Sequence, residues 1–194
     1  MLEVGSWLGG GSTQIFIEEL RGIKGQLFCV DTWRGSPNVE RHQELARTYD
    51  LFGTFRHNVS VGDGDAVVRP LVMDSLDAAA VLADGAFDLV FLDGDHSYTC
   101  TRADIEAWRP KLRAGGILSG HDCEARVTAS NQARYAQSRD IDHIEGTGTV
   151  FAANHPGVIL AVHEAFGDKA HLWAEEPPER LPGSGRATIW DIVV

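Results

Sequence analysis

Long apolar runs are missing from this 194-residue chain. None approaches the roughly 20 residues that a membrane-spanning helix requires, so no membrane span is expected. The first residues carry no basic segment followed by an apolar one, so no signal peptide is expected either. Cysteine is scarce: Cys29, Cys100 and Cys123 lie far apart and form no CxxC pair. An odd, scattered set reads as reduced thiols in a cytoplasm. Basic residues are outnumbered, 17 Lys and Arg against 28 Asp and Glu, for a formal net charge of -11. The arginines are dispersed, so a nucleic-acid backbone would be repelled and no nucleic-acid or membrane partner is expected. No internal repeat is visible. The chain starts almost directly in an apolar strand, so no N-terminal helical cap is expected.

What is present is an alternation. LEVG, QLFCVD, VVRPLVMDS, FDLVFLDGD and GILSGHD read as strands. Between them STQIFIEELRG, VERHQELARTYDLF, LDAAAVLADG and TRADIEAWRPKLRAGG have helical spacing, with Pro110 kinking or shortening the last. HPGVILAVHEAFG reads as a further helix, and AHLWA and ATIWDIVV as two last strands. Apolar strands alternating with amphipathic helices predict a mostly parallel, doubly wound, Rossmann-like α/β sheet of seven strands with helices on both faces. The whole of 1–194 is expected to form one domain. Residues 123–154, with a helix in ASNQARYAQSRD and then GTGT, are too long for an ordinary connection and read as an insertion or lid over the site. Residues 175–187 read as a surface loop or a hairpin connection.

In such sheets ligands bind outside the carboxyl ends of the strands. Those ends are GSWLGGGS, DTW, DSL, DGDH and GHDC, and four of the five carry an acidic residue. In the glycine loop no Lys-Ser or Lys-Thr follows, which excludes a P-loop, and Trp7 stands where a dinucleotide fingerprint needs its second glycine. A nucleoside cofactor without a pyrophosphate fits better. Asp31, at the end of the second strand, sits about where an acidic residue takes ribose hydroxyls, although an Asp capping a turn would look the same.

EVGSWLGGGST, VDTW, FDLVFLDGDHSY, ADIEAWRPKL, GGILSGHD and HPGVILAVHEAFG together resemble the class I S-adenosylmethionine-dependent methyltransferases. The similarity is to the small bacterial group containing cephalosporin and macrolide-sugar O-methyltransferases. It covers roughly residues 2–122 and 155–194. The resemblance implies that Gly5, Ser6, Trp7, Gly9, Gly10, Gly11 and Ser12 line the methionine part of S-adenosyl-L-methionine. It places Asp31, Thr32 and Trp33 at the ribose and adenosine, and Asp74 and Ser75 at the adenine. Asp93 would lie near the sulfonium, and Asp93, His121 and Asp122 would ligate a divalent metal, Mg or Mn. His96, with Asp93, would be catalytic, as a general base whose pKa a nearby ion pushes below about 6.5. Where this chain has His121-Asp122, the family more often carries a pair of Asp, Asn or Glu.

Bland readings stand beside these. Asp95 is read first as a turn residue, His155 as the start of a helix, and His143 and His163 as surface residues. Trp108 and Trp190 are read as core anchors and Cys123 as a small apolar filler. The implied activity is metal-assisted O-methylation of a small hydroxylated molecule, a sugar or natural product, by a cytoplasmic protein that forms a homodimer. The alternatives are a metal-dependent hydrolase built on DGDH and GHD, and a non-catalytic cofactor-binding domain.

Overall fold

A computed structural model describes residues 1–146, 150–176 and 187–194. Its centre is a seven-stranded sheet. Strands β1 (Leu2–Val4), β2 (Leu27–Asp31), β3 (Val68–Val72), β4 (Phe87–Leu92) and β5 (Leu112–Gly120) run parallel. Strands β8 (His171–Leu172) and β9 (Trp190–Val193) close one edge, and both pairings of β9 are antiparallel. The order β3-β2-β1-β4-β5-β9-β8 reverses between β1 and β4. A doubly wound sheet opens a crevice at such a reversal, because the connections on its two sides lead to opposite faces.

The helices are α1 (Ser12–Gly22), α2 (Glu40–Thr48), α3 (Leu51–Val61), α4 (Ser75–Val81), α5 (Tyr98–Trp108), α6 (Gln132–Gln137) and α7 (Pro156–Phe166). Three of the expected boundaries move, each for a local reason. The helix expected over 39–52 is two, since Tyr49 is extended and the Asp50 carboxylate accepts a hydrogen bond from Gly53 N–H at 2.8 Å, starting α3. The helix expected over 101–116 stops at Trp108; Pro110 lies in a single 3₁₀ turn and Leu112 already belongs to β5. The helix expected in ASNQARYAQSRD is the short α6, and a hairpin the sequence did not announce, β6 (Ile144–Glu145) with β7 (Ala153–Asn154), follows it. The last three residues of GTGT, and most of the loop read over 175–187, lie outside the described residues.

Trp108 and Trp190 are almost completely buried in the larger apolar cluster, as core anchors. Tyr135 of α6 is buried in the same cluster, and Arg139 C=O accepts from Tyr98 N–H at 2.8 Å. The described part of 123–154 is therefore tied to the core through Tyr135 and, through Arg139, to the start of α5, two residues beyond His96. No helix among the described residues is long and apolar enough to cross a membrane.

Candidate active site

The loop after β1 is shaped by close contact. Gly5 has φ +84°, and a Cβ there would stand 1.9 Å from the Asp93 carbonyl oxygen at the end of β4. Gly9, at φ +67°, would clash with the Phe55 ring. Gly10 and Gly11 face open space, with no atom within 4 Å of an added Cβ. Glu3, fully buried in β1, supports the loop from beneath. Its carboxylate accepts from Ser12 Oγ and Thr13 Oγ1, each at 2.6 Å. Burial raises the Glu3 pKa, and the hydroxyls of Ser12, Thr13 and Ser6 counter it only in part.

Asp31 spends one lone pair of each oxygen on the backbone. Oδ2 accepts from Trp7 N–H at 2.8 Å and Oδ1 from Trp33 N–H at 2.7 Å. Burial raises its pKa, against the pull of those bonds. Trp7 stacks on His42. Trp33 is turned into the smaller core against Phe52 and Phe55, and its indole N–H donates to Trp7 C=O. Its ring is a scaffold for the loop, while its backbone N–H stays on Asp31, the residue expected at the ribose. Thr32 Oγ1 accepts from Arg34 N–H at 3.2 Å. Asp74 caps α4 through Leu76 N–H at 2.9 Å. The Ser75 hydroxyl points inward, donating to Asp104 at 2.5 Å and accepting from Trp108 Nε1 at 2.8 Å.

Asp104 itself is a buried acid that sequence reasoning passed over. Burial, with the charges of Asp74 and Asp95, lifts its pKa to about 7 against the Ser75 bond. Its folded pKa thus lies above the unfolded value near 3.9, so the folded chain binds more protons between those values. The stabilisation is complete below about pH 4 and is lost as pH rises to about 7. Asp104→Asn is expected to flatten that slope and to raise stability at pH 8 by about 1–3 kcal/mol. Urea unfolding at pH 5, 6, 7 and 8 checks this; parallel curves for the two proteins would refute it.

Across the reversal, the ends of β4 and β5 carry a cluster of imidazoles and carboxylates. His96 Nε2 is 3.1 Å from Asp122 Oδ2 and 3.9 Å from Asp93 Oδ1, and Nδ1 is 2.9 Å from Asp142 Oδ1. His121 Nδ1 is 2.9 Å from Asp122 Oδ1 and 3.8 Å from Asp93. His155 Nδ1 is 2.7 Å from Glu124 and 3.6 Å from Asp122, and His143 Nδ1 is 2.8 Å from Asp142. His121 touches both carboxylates of the expected metal set. Among the described residues, three groups bring their ligand atoms within 4.8 Å of one another: Asp93, His96 and Asp122; His96, Asp142 and His155; and Asp122, Glu124 and His155. Asp95 behaves as a turn residue, accepting from Ser97 N–H at 2.8 Å. Cys123 is buried, as the filler reading holds.

Burial opposes a charge on His96, yet hydrogen bonds to Asp142 and Asp93 and the charge of Asp122 overcome it and raise its pKa to about 10. The lowering expected from the sequence belongs to His96 beside a bound ion, whereas this raised value belongs to His96 among carboxylates alone. Asp142 is held below the usual carboxylate range, first by its bond to His96. The Asp122 bond raises His121. For Asp122, burial pushes up, but His121 and the charges of His155 and His96 prevail and lower it.

Residues 2–123 match a family model described as a methyltransferase domain, well over half of the chain. This chain belongs to that methyltransferase family. A curated relative, the uncharacterized protein y4gI of Sinorhizobium fredii (strain NBRC 101917 / NGR234), is 30% identical over 101 residues, covering 52% of this chain and 10% of that protein. The methyltransferase chain thus matches about a tenth of that relative's length. Among solved structures, the O-methyltransferase NovP superposes with a TM-score of 0.60 at 18% identity, over 100% of this chain and 70% of NovP. The O-methyltransferase from Bacillus cereus, solved in complex with SAH, gives 0.51 at 18% identity, over 100% and 73%. At such identities the likeness extends to the fold, and it confirms the doubly wound class read from the sequence.

Four residues of this candidate site were given no functional role from the sequence. Glu3 had a signal, a lone carboxylate between Leu2 and Val4 two residues before Gly5. Glu124 follows Asp122 by two and offered a weaker one. Asp142 offered none, since it lies in the insertion and reaches His96 only through the packing of α6. His155 starts α7, as read, and also bonds Glu124, which the sequence does not show.

Proposed function

We propose that this methyltransferase domain moves a methyl group from S-adenosylmethionine to a hydroxyl of a small molecule, with a divalent ion on Asp93 and Asp122 and His96 as general base. The observation that carries this reading is contiguity: the glycine loop touches Asp93 at Gly5, and His96 Nε2 looks onto the same carboxylates. The residues fit the cofactor. Gly10 and Gly11 leave room at the start of α1, a helix end that no side chain caps. Helix starts favour an anionic group such as an amino-acid carboxylate. Asp31 keeps a second lone pair on each oxygen for a diol.

The cofactor, when bound, supplies a sulfonium methyl group open to in-line displacement. A divalent ion supplies Lewis acidity, which lowers the pKa of a hydroxyl. The chain does the rest. Asp142 accepts the Nδ1 proton of His96 and thereby aims Nε2 at the space beside Asp93 and Asp122. There Nε2 receives the proton that the hydroxyl loses. The same carboxylates favour a proton on Nε2; a cation held by Asp93 and Asp122 would offset their charge and would leave Nε2 able to accept a proton.

Calorimetric titration with S-adenosylhomocysteine, with and without Mg2+ or Mn2+, tests the cofactor assignment. Asp31→Ala is expected to weaken binding roughly tenfold or more, the loss of charge-assisted hydrogen bonds of about 1.5–3 kcal/mol. Equal affinity in the two proteins would remove Asp31 from the site.

A further inference from the structure

We propose that Asp122, Glu124 and His155 bind a second divalent ion, of transition-metal type such as Zn2+ or Mn2+, with Asp122 bridging it to the ion proposed at Asp93. The inference concerns the ion content of the cleft and does not depend on which acceptor is methylated.

The geometry begins with Glu124. Its side chain is only 2% exposed. Oε1 lies 2.7 Å from His155 Nδ1, and Oε2 accepts from His155 N–H at 3.0 Å. Asp122 Oδ1 is 3.6 Å from the same ring nitrogen. The three ligand atoms fall within 4.8 Å of one another. An ion with bonds of about 2.0–2.1 Å in tetrahedral geometry spaces its ligands about 3.3 Å apart. The measured 2.7 and 3.6 Å bracket that edge, so small side-chain rotations suffice. Asp122 also holds Oδ1 2.9 Å from His121 Nδ1, a contact that an ion would replace, and its other oxygen is turned toward His96 Nε2 at 3.1 Å. Its two oxygens therefore face two neighbouring sites, the arrangement of a carboxylate shared by a two-ion centre.

Charge points the same way. Among the described residues, Asp93, Asp122, Glu124 and Asp142 form ion pairs with imidazoles and with no lysine or arginine. One proton on His155 Nδ1 would serve two carboxylates at once. An enclosed carboxylate without full counter-charge is costly. One dipositive ion neutralises Asp122 and Glu124 together and accepts His155 as a neutral ligand. A donor set of one imidazole and two carboxylates suits zinc or manganese, whereas magnesium favours oxygen donors. Cys123, between the two acids, is buried and adds no ligand.

The test uses the full chain, stripped with a chelator and dialysed against Zn2+, Mn2+ or Mg2+, with bound metal counted by mass spectrometry. Two Zn2+ or Mn2+ ions per chain are expected. Glu124→Gln should lower the count to one, because the amide keeps an oxygen for His155 N–H but loses the charge. His155→Gln should do the same, and circular dichroism checks that both variants fold. Asp93→Asn should also leave one ion, the one at Glu124. A single ion lost in Glu124→Gln and kept in Asp93→Asn would uphold this site and sink the ion at Asp93. A count that Glu124→Gln and His155→Gln leave unchanged, or a wild-type chain that retains no ion, overturns the proposal. Mg2+ filling the Glu124-dependent site as tightly as Zn2+ overturns the metal class.

Discussion

Gly5→Ala is expected to destabilise the domain by about 3–5 kcal/mol, enough to leave little folded protein if the parent is ordinarily stable. Two costs combine. At φ +84° an L residue is strained, and its Cβ would stand 1.9 Å from the Asp93 carbonyl oxygen. That oxygen is backbone at the end of β4, and the Asp93 N–H is itself bonded to Val4 C=O at 2.9 Å. It cannot move without parting the ends of β1 and β4. Gly10→Ala is the internal comparison. Nothing lies within 4 Å of a Cβ there, so its stability should change by no more than about 0.5 kcal/mol. Denaturant unfolding of the two variants decides. Equal stabilities would mean that the close approach of loop to strand is not what this structure shows.

Glu3→Ala carries the second large effect, a loss of about 2–4 kcal/mol together with a marked fall in affinity for S-adenosylhomocysteine. The substitution leaves the hydroxyls of Ser12 and Thr13 without their buried acceptor and opens a cavity beneath the glycine loop. Both hydroxyls belong to the first turn of α1, so the helix start shifts with them. Glu3→Gln should be mild by comparison, since an amide oxygen still accepts and the amide NH2 group can donate to a rotated hydroxyl. Burial already disfavours the charge on Glu3, and losing it forfeits little. Unfolding curves for the two variants, followed by ligand titration of whichever folds, test this. An alanine variant as stable as the parent would show that Glu3 fills space and supports nothing.

Much of the architecture was legible because parallel strands buried on both faces leave an unbroken apolar signature, and the acids that end them interrupt it. VDTW and FLDGDH could be placed at strand ends from that interruption alone. The helix boundaries were less legible. The break at Tyr49 depends on whether Asp50 caps or continues a helix, which local propensity decides by a small margin. The roles assigned to Trp33 and Ser75 turn on side-chain direction. Trp33 folds inward because Phe52 and Phe55 of α3 make an apolar wall behind it. Ser75 turns inward because Asp104 and Trp108, about thirty residues on, await its hydroxyl.

The electrostatics of the cleft show the same division. Residue types along the chain specified the sheet, its reversal and the acids at its carboxyl edge, since burial pattern and turn chemistry are local properties. Asp142 and Glu124 entered the site only when α6 and α7 packed, with Gly157 lying so close that a Cβ would meet the His96 carbonyl oxygen at 2.2 Å. The charge state of His96 therefore belongs to the tertiary structure. It depends on how many carboxylates surround one imidazole, and such distances have no counterpart in spacing along the chain.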